Sequence, residues 1–453
     1  MFRSPRSGLV AACIAVASVL SGSGCASIDS SLYARLSAQA MAPPEQGDTP
    51  TLADFDERLE RDELVGAVLA ANPSIEAARQ AVRVALERAP QESAASEPTL
   101  SWSVAPATIG AADTAFGQRL ALSQEIAPPR ALRLRGDVAL AQAEAALAAF
   151  DESRLHLGVA AALLFDDLDR IERAVEVVDE HIVLLGEVVA SAERAYTVGR
   201  ADVAEPLRAA AELAHADHRR IVLLADRTVI HALINGLLHR PPDAALPPAH
   251  SASPAPDLEG IDTAAAHPSV RGAEARHRAS QLGVELASAE RAPPVRLGVS
   301  FNTMWQRPEH WVALEFSIVL PVDGRRRRSE IRGSEASEAV AEAQTDAVLD
   351  AVAVEARTAS TRLEEAGHVL HLHEDRLIPI AQQRLDAARS AFETGSGDLD
   401  SVLDAEIDLR TARLALLEAR IDQRGWATRL AAALGRLPTS EPPSTTTTQE
   451  TSP

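Results

Sequence analysis

The sequence predicts a mainly α-helical protein with a small β part, built from one helix–strand–strand–helix unit used twice. Three observations carry this reading. The first is repetition. Ala195-Tyr196-Thr197-Val198-Gly199, followed by Asp202 and Leu207, returns as Ala391-Phe392-Glu393-Thr394-Gly395, followed by Asp398 and Leu403, at an offset of 196 residues. The second is a heptad. Leu164, Leu168, Ile171, Val175, Val178, Ile182, Leu185 and Val189 are spaced alternately by four and three, the seam of a coiled coil. The third is alternation. Val295, Leu297, Val299 and Phe301 alternate with Arg296, Gly298, Ser300 and Asn302, the period of a strand with one apolar and one polar face.

The chain of 453 residues begins with what reads as a secretion signal over residues 1–24. Arg3 and Arg6 precede an apolar run from Gly8 to Leu20 that is too short to span a bilayer. Leu20-Ser21-Gly22-Ser23-Gly24-Cys25 resembles a bacterial lipoprotein cleavage box, which would leave Cys25 as an acylated first residue. Ordinary signal-peptidase cleavage is the other reading. Cys13 lies within the signal, so the mature chain has no internal disulfide. Residues 25–62 are expected to form an irregular lead-in.

The first repeat occupies residues 63–240. It reads as a helix over 63–89 interrupted at Asn72-Pro73, strands within 98–127, a helix over 131–196, a break at Gly199, and a helix over 202–239. A linker rich in proline, alanine and serine covers 241–262. The second repeat, 263–437, restates that order: helix 263–291, strands within 295–321, helix 329–392, a break at Gly395, and helix 399–437. Pro73-Ser74-Ile75 and Pro98 return as Pro268-Ser269-Val270 and Pro294. Pro379 lies inside the fourth long helix, where it removes an amide donor and crowds the preceding turn, so a kink is expected. Residues 438–453 are rich in Pro, Ser and Thr and are expected to be disordered. A helix of roughly 65 residues would be about 100 Å long, so it must lie against other rods rather than in one core.

Composition narrows the function. The net charge of −21 argues against a nucleic-acid surface, and every basic residue is arginine. After the signal no apolar stretch is long enough for a helical span, so any bilayer crossing is made by strands. Val312, Leu314, Phe316, Ile318 and Leu320, and Leu100, Trp102 and Val104, repeat the alternation. Such strands either pack beneath helices in a soluble α+β domain, or face lipid with the polar side toward water. Six of the fourteen aromatic residues fall in these regions, namely Trp102, Phe116, Phe301, Trp305, Trp311 and Phe316. Trp102, Trp305 and Trp311 are candidates for an aromatic girdle. Four strands cannot close a barrel, and an open edge cannot face hydrocarbon. Three copies would give twelve strands, so the economical expectation is a homotrimer.

Asn72-Pro73-Ser74-Ile75, Ile318-Val319-Leu320-Pro321 followed by Asp323-Gly324-Arg325-Arg326, and Phe392-Glu393-Thr394-Gly395 with Ser401-Val402-Leu403-Asp404-Ala405 together resemble the TolC-like outer membrane efflux protein family, from about Glu63 to Leu437. The size and lipid anchor are most similar to members working with pumps of the resistance-nodulation-division (RND) type. The resemblance implies a trimeric twelve-stranded outer-membrane β-barrel and an α-helical barrel across the periplasm. It also implies an adaptor (membrane fusion) protein at the far tip, an inner-membrane RND-type pump, and passive conduction of exported substrates. The alternative is a periplasmic coiled-coil lipoprotein scaffold that transports nothing.

Within that frame the helix breaks become periplasmic tips, with Gly199, Arg200, Gly395 and Asp398 as turn and adaptor-contact candidates. The second tip is acidic. Asp400, Asp404 and Asp408 lie four apart on one helical face, where like charges repel. A favourable helix macrodipole explains Asp398 and Asp400 well, but Asp404 and Asp408 poorly. A ring of carboxylates at a cation-selective aperture is the functional reading. The family's aperture acids match Ser401 and Asp404, so Asp400 would stand in for the former. The first tip, with Arg200, Asp202, Glu205 and Arg208, is mixed and could pair with this acidic helix in the closed state. Arg325 to Arg328, with Arg130, Arg133 and Arg135, suggest a basic belt at headgroup level. His368, His371 and His373 are read as surface residues rather than a metal site. No nucleophile elbow, phosphate loop or zinc spacing is present, so neither an enzyme nor a cofactor is expected.

Overall fold

The computed structural model describes residues 29–41, 58–110, 116–199, 202–250, 267–305, 307, 310–320, 322–394 and 396–438. Cys25, the signal segment 1–24, Arg200, Gly395, the far part of the linker and residues 439–453 lie outside the described residues. The elements run α1 (Ser30–Met41), α2 (Arg61–Ala71), α3 (Pro73–Glu92), β1 (Thr99–Val104), β2 (Gln118–Ile126), α4 (Pro129–Thr197), α5 (Ala204–Leu237), α6 (Pro268–Ala289), β3 (Val295–Asn302), β4 (Val312–Ile318), α7 (Gly324–Leu372), a π-helical turn (His373–Leu377), α8 (Ile378–Glu393) and α9 (Leu399–Ala433). The duplicated order is therefore present, and α4 alone runs for 69 residues. No described helix is long and apolar enough to cross a membrane.

One expectation is corrected. The lead-in is not irregular throughout: α1 forms at Ser30, where Asp29 Oδ1 accepts from the amides of Ser31 and Leu32 at 3.0 and 3.1 Å. This is the side-chain capping that offsets orphan amides at a helix start. The described part of the linker is held in place by hydrogen bonds. Leu59 pairs in parallel with Ala249, and the Leu59 and His250 amides donate to the Pro248 and Leu59 carbonyls at 2.9 and 2.8 Å. Glu172 accepts from the Ala249 amide at 2.8 Å. A proline-rich composition signalled absence of regular structure, but its backbone groups found partners on folded elements.

The chain packs as two units, and each draws on both repeats. The first comprises Met1–Ala42, Arg79–Ala149 and Arg271–Val348. It holds the only sheet of the described residues, in the order β1-β2-β3-β4 with every neighbour antiparallel. The two hairpins come from different repeats and join through β2 and β3. Gly298 permits that junction, because a Cβ there would lie 3.0 Å from the Leu122 carbonyl oxygen. In the helical part of this unit, buried Ala139, Ala141, Ala143, Ala145 and Ala148 keep side chains small. Arg135 pairs with Glu290 at 2.5 Å, and Arg278 with Glu144.

The second unit comprises Pro43–Ala78, Phe150–Val270 and Leu349–Pro453. Its main core joins Leu64, Val65 and Val68 of α2 to Phe165 and Leu168 of α4 and Ile234 of α5, with Leu238 just beyond. A second cluster gathers Leu185, Ala192, Ala209, Ala216, Leu399 and Leu403. The heptad seam is only half satisfied inside one chain: Leu168, Ile171, Val178 and Leu185 are buried, whereas Leu164, Val175, Ile182 and Val189 are partly exposed.

A buried ionic network sits beside the main core. Arg61 donates to the Pro438 carbonyl at 2.9 Å and to Thr428 Oγ1. Asp169 accepts from Arg173 and Arg424 at 2.7 and 2.5 Å. Asp166 faces Arg61 and Arg424 at 3.6 and 3.7 Å, too far for hydrogen bonds, and both of its oxygens lack a partner. Burial therefore outweighs the two arginines and pushes its carboxyl up to about 6. At Pro379 the expected disturbance takes the form of the π-helical turn directly before it. The wider turn takes up the clash and the missing amide.

Candidate functional site

Two regions carry the residues singled out in the sequence. The first is the sheet. Its register aligns Trp102, Leu120, Phe301 and Val312 in one rank, and Leu100, Leu122, Val299 and Leu314 in the next. Gln124, Leu297 and Phe316, and Ile126, Val295 and Ile318, continue the same face, which is apolar except for the buried Gln124. This face is bare: Leu100, Trp102, Leu314 and Phe316 are each about two-thirds exposed or more, at 66%, 68%, 76% and 67%. The opposite face carries Ser101, Ser103, Arg119, Ser123, Glu125, Arg296, Ser300, Asn302 and Glu315. It neutralises its own charges, with Arg296 on Glu125 at 3.0 Å and Arg119 on Glu315. No described strand pairs with the outer edge of β1 or of β4.

The aromatic candidates collect at one end of the sheet. Trp102 lies near the tip of the first hairpin, and Trp305 and Trp311 lie between β3 and β4 of the second. Trp311 packs edge-on against Phe301 at 5.8 Å, and its indole N–H donates to the Trp305 carbonyl at 2.9 Å. Phe316 stands apart, further down the sheet. At the helix-proximal end, Asp323 Oδ1 caps α7 by accepting from the Arg325 and Arg326 amides at 3.1 and 3.0 Å. Arg325, Arg326 and Arg328 are exposed. Arg130 and Arg135 are engaged by Glu285 and Glu290.

The second region is the pair of helix breaks. After α4, Gly199 adopts φ +72°, a left-handed conformation that glycine enters without strain. After α8, the Ser396 and Gly397 amides both donate to the Ala391 carbonyl at 2.9 Å. Gly397, which the sequence reading passed over, is held by space: a Cβ there would sit 2.9 Å from that of Ala391. Asp398 then caps α9, accepting from the Ser401 amide at 2.8 Å, and this bonding holds its carboxyl below the usual range.

All three aperture candidates have arginine partners on other helices. Arg208 of α5 reaches Asp400 at 2.5 Å and Asp404 at 3.2 Å. Asp408 pairs with Arg384 of α8. The like-charge repulsion expected along α9 is thus offset from neighbouring helices, and Arg208 acts as a two-pronged clamp. Arg208 was legible as a possible partner. Arg384 was not, since nothing in its spacing relates it to Asp408. Between these helices Glu406, also unforeseen, is buried against Arg389. Among the described residues no group of His, Cys, Asp and Glu is arranged to hold a metal ion, the His368, His371 and His373 cluster included.

With this geometry in place, the likenesses to known proteins can be stated. Residues 262–436 match the sequence profile described as Outer membrane efflux protein. No curated protein sequence matches the chain. Among solved structures, the outer membrane protein VceC from Vibrio cholerae is similar at 18% identity, covering 83% of this chain and 96% of that one, with a TM-score of 0.69. CusC, described in connection with folding and transmembrane channel formation, is similar at 18% identity, 83% and 92% coverage, and TM-score 0.71. The open state of the MtrE outer membrane channel of Neisseria gonorrhoeae is similar at 17% identity, 84% and 90% coverage, and TM-score 0.65. The fold is therefore that of TolC-like helical channels with a small strand part.

Proposed function

We propose that this chain, whose second repeat is an outer membrane efflux protein domain, is the exit duct of a tripartite efflux pump. It would conduct substrates passively from an inner-membrane transporter across the periplasm and outer membrane. The observation that carries the reading is the sheet. Four antiparallel strands present one bare apolar face, one charge-balanced polar face and two unpaired edges. Hydrocarbon accepts the first, water the second, and only sister chains can satisfy the third. Edge pairing of β4 with β1 of the next copy closes a twelve-stranded trimer. The half-exposed side of the α4 seam suits the same assembly.

In this reading Trp102, Trp305 and Trp311 mark one membrane interface, and Arg325 to Arg328 reach headgroups at the other. Cys25 carries the lipid anchor. Gly199 and Gly395, with Arg200 and Asp398, form the periplasmic tips that meet an adaptor protein, and the pump is of the RND type. Asp400, Asp404 and Asp408 line the aperture. The Arg208 clamp holds two of these acids in the resting state, so opening requires their release. The Gly397 turn and the Asp398 cap fix where α9 begins, and so where the acids stand.

The test is reconstitution. Detergent-solubilised protein is expected to have the mass of three chains, and planar bilayers are expected to show cation-preferring conductance blocked by a trivalent cation. Asp400→Ala with Asp404→Ala is expected to weaken that block at least tenfold. A stable monomer with no conductance overturns the duct. Unchanged block overturns only the aperture.

A further inference from the structure

One cavity in the second unit borders the region of the helix breaks, sharing Arg389 and Glu406 with it, but holds none of the aperture candidates. It measures about 140 Å³ and lies between α4, α8 and α9. Its polar lining is Glu180 and His181 from α4, Gln382 and Arg389 from α8, and Glu406, Arg410 and Arg413 from α9. Two of the three arginines are matched: Arg413 pairs with Glu180 at 3.2 Å, and Arg389 with Glu406. The third is not. Arg410 is only 7% exposed, and no hydrogen bond or ion pair to it exists among the described residues. Its Nε is buried without a partner. His181 is 3% exposed, and its Nε2 is likewise buried without a partner.

An arginine cannot shed its proton to escape burial, so a guanidinium whose Nε is buried without a partner favours a counter-charge beside it. Glu212 of α5 attracts Arg410 from a distance, but Arg219 on the same helix opposes it. The lining itself carries three positive and two negative side chains, which excludes a cation. The space holds several waters, or one small anion with waters around it. We propose that this cavity is a binding site for a small anion, of chloride size up to a small carboxylate, held between Arg410 and His181.

Protons and the anion should bind together. Burial, with Arg410 and Arg219, holds His181 down to about 4, so it is neutral in the empty site. An anion beside Nε2 relieves that repulsion and raises the proton affinity of the ring. By linkage, the anion binds more tightly as the pH falls. The site does not rest on the duct reading.

The experiment uses the full chain in detergent micelles, with sodium gluconate replaced stepwise by sodium chloride at constant ionic strength. The melting temperature is expected to rise with chloride, and to rise more at pH 5.5 than at pH 7.5. Arg410→Gln should abolish the chloride-specific rise, while Arg220→Gln, which breaks an ion pair elsewhere, should leave it intact. Bromide-soaked crystals of the unaltered protein should show an anomalous peak between Arg410 and His181. Equal responses to chloride and gluconate, a full chloride response in Arg410→Gln, or a cavity without bromide each overturn the proposal. The bromide result stands even if Arg410→Gln does not fold.

Discussion

At the residue scale, charges that sequence spacing presents as crowded or idle turn out to be matched, and the unmatched ones are informative. Arg208 answers Asp400 and Asp404 from another helix. All three are about half exposed, so each pair is worth only about 0.2–1 kcal/mol. Arg208→Asp is expected to lower thermal stability slightly, and the exchange Arg208→Asp with Asp404→Arg to recover most of the loss in a double-mutant cycle. Asp166 allows a sharper test. Its carboxyl is raised in the fold to about 6 from an ordinary 3.8, so its protonated form is the one the fold favours. That contribution is complete below about pH 4 and is lost as pH rises through 6. Asp166→Asn mimics the protonated form. Urea unfolding of this variant should lose the decline that the parent shows between pH 4 and 6, and a parent and variant with parallel profiles would refute it. His181 works in the opposite direction, since its folded pKa is depressed. The stability it contributes is present above pH 6.5 and disappears as pH falls toward 4, so His181→Gln should flatten melting temperatures across that window in chloride-free buffer.

At the element scale, periodicity was a reliable guide, whereas contacts between distant residues were not legible. The heptad of α4 and the alternation of β1, β3 and β4 each gather apolar residues on one face, which residue order records directly. Every long helix and every strand stands within a few residues of its expected place. What escaped was set by partners distant in sequence. The helix at Ser30–Met41 and the pinning of 241–250 depend on a few hydrogen bonds, to Asp29 in one case and to Leu59 and Glu172 in the other. Of the candidate site, the acids and glycines were visible. Arg384, Arg389 and Arg410 were not, because their roles come from helix–helix register, and Gly397 was not, because its role comes from close packing on Ala391 in the turn. Gly397→Ala should shift the start of α9 and lower the melting temperature more than Gly283→Ala, where nothing lies within 4 Å of the added methyl. Pro379→Ala returns an amide to the helix after the π-helical turn, and is expected to stabilise by up to about 3 kcal/mol, read by chemical denaturation.

At the scale of the whole molecule, the sheet and the half-buried heptad share one property: each is left incomplete by a single chain. A chain so built should resist isolation as a monomer. Dilution in detergent is expected to leave its mass at three copies until the strands themselves melt, and paired cysteines placed on the outer edges of β1 and β4 should link neighbouring copies. The duplication adds a further constraint. Arg208 and Asp404 occupy corresponding places in the two repeats, separated by 196 positions, and so do Arg119 and Glu315. In both cases corresponding residues bear opposite charge and touch. A protein made by joining two copies of either half would set arginine against arginine, or acid against acid, at both places. The ancestral twins have diverged into plug and socket, and neither can any longer be replaced by its sibling.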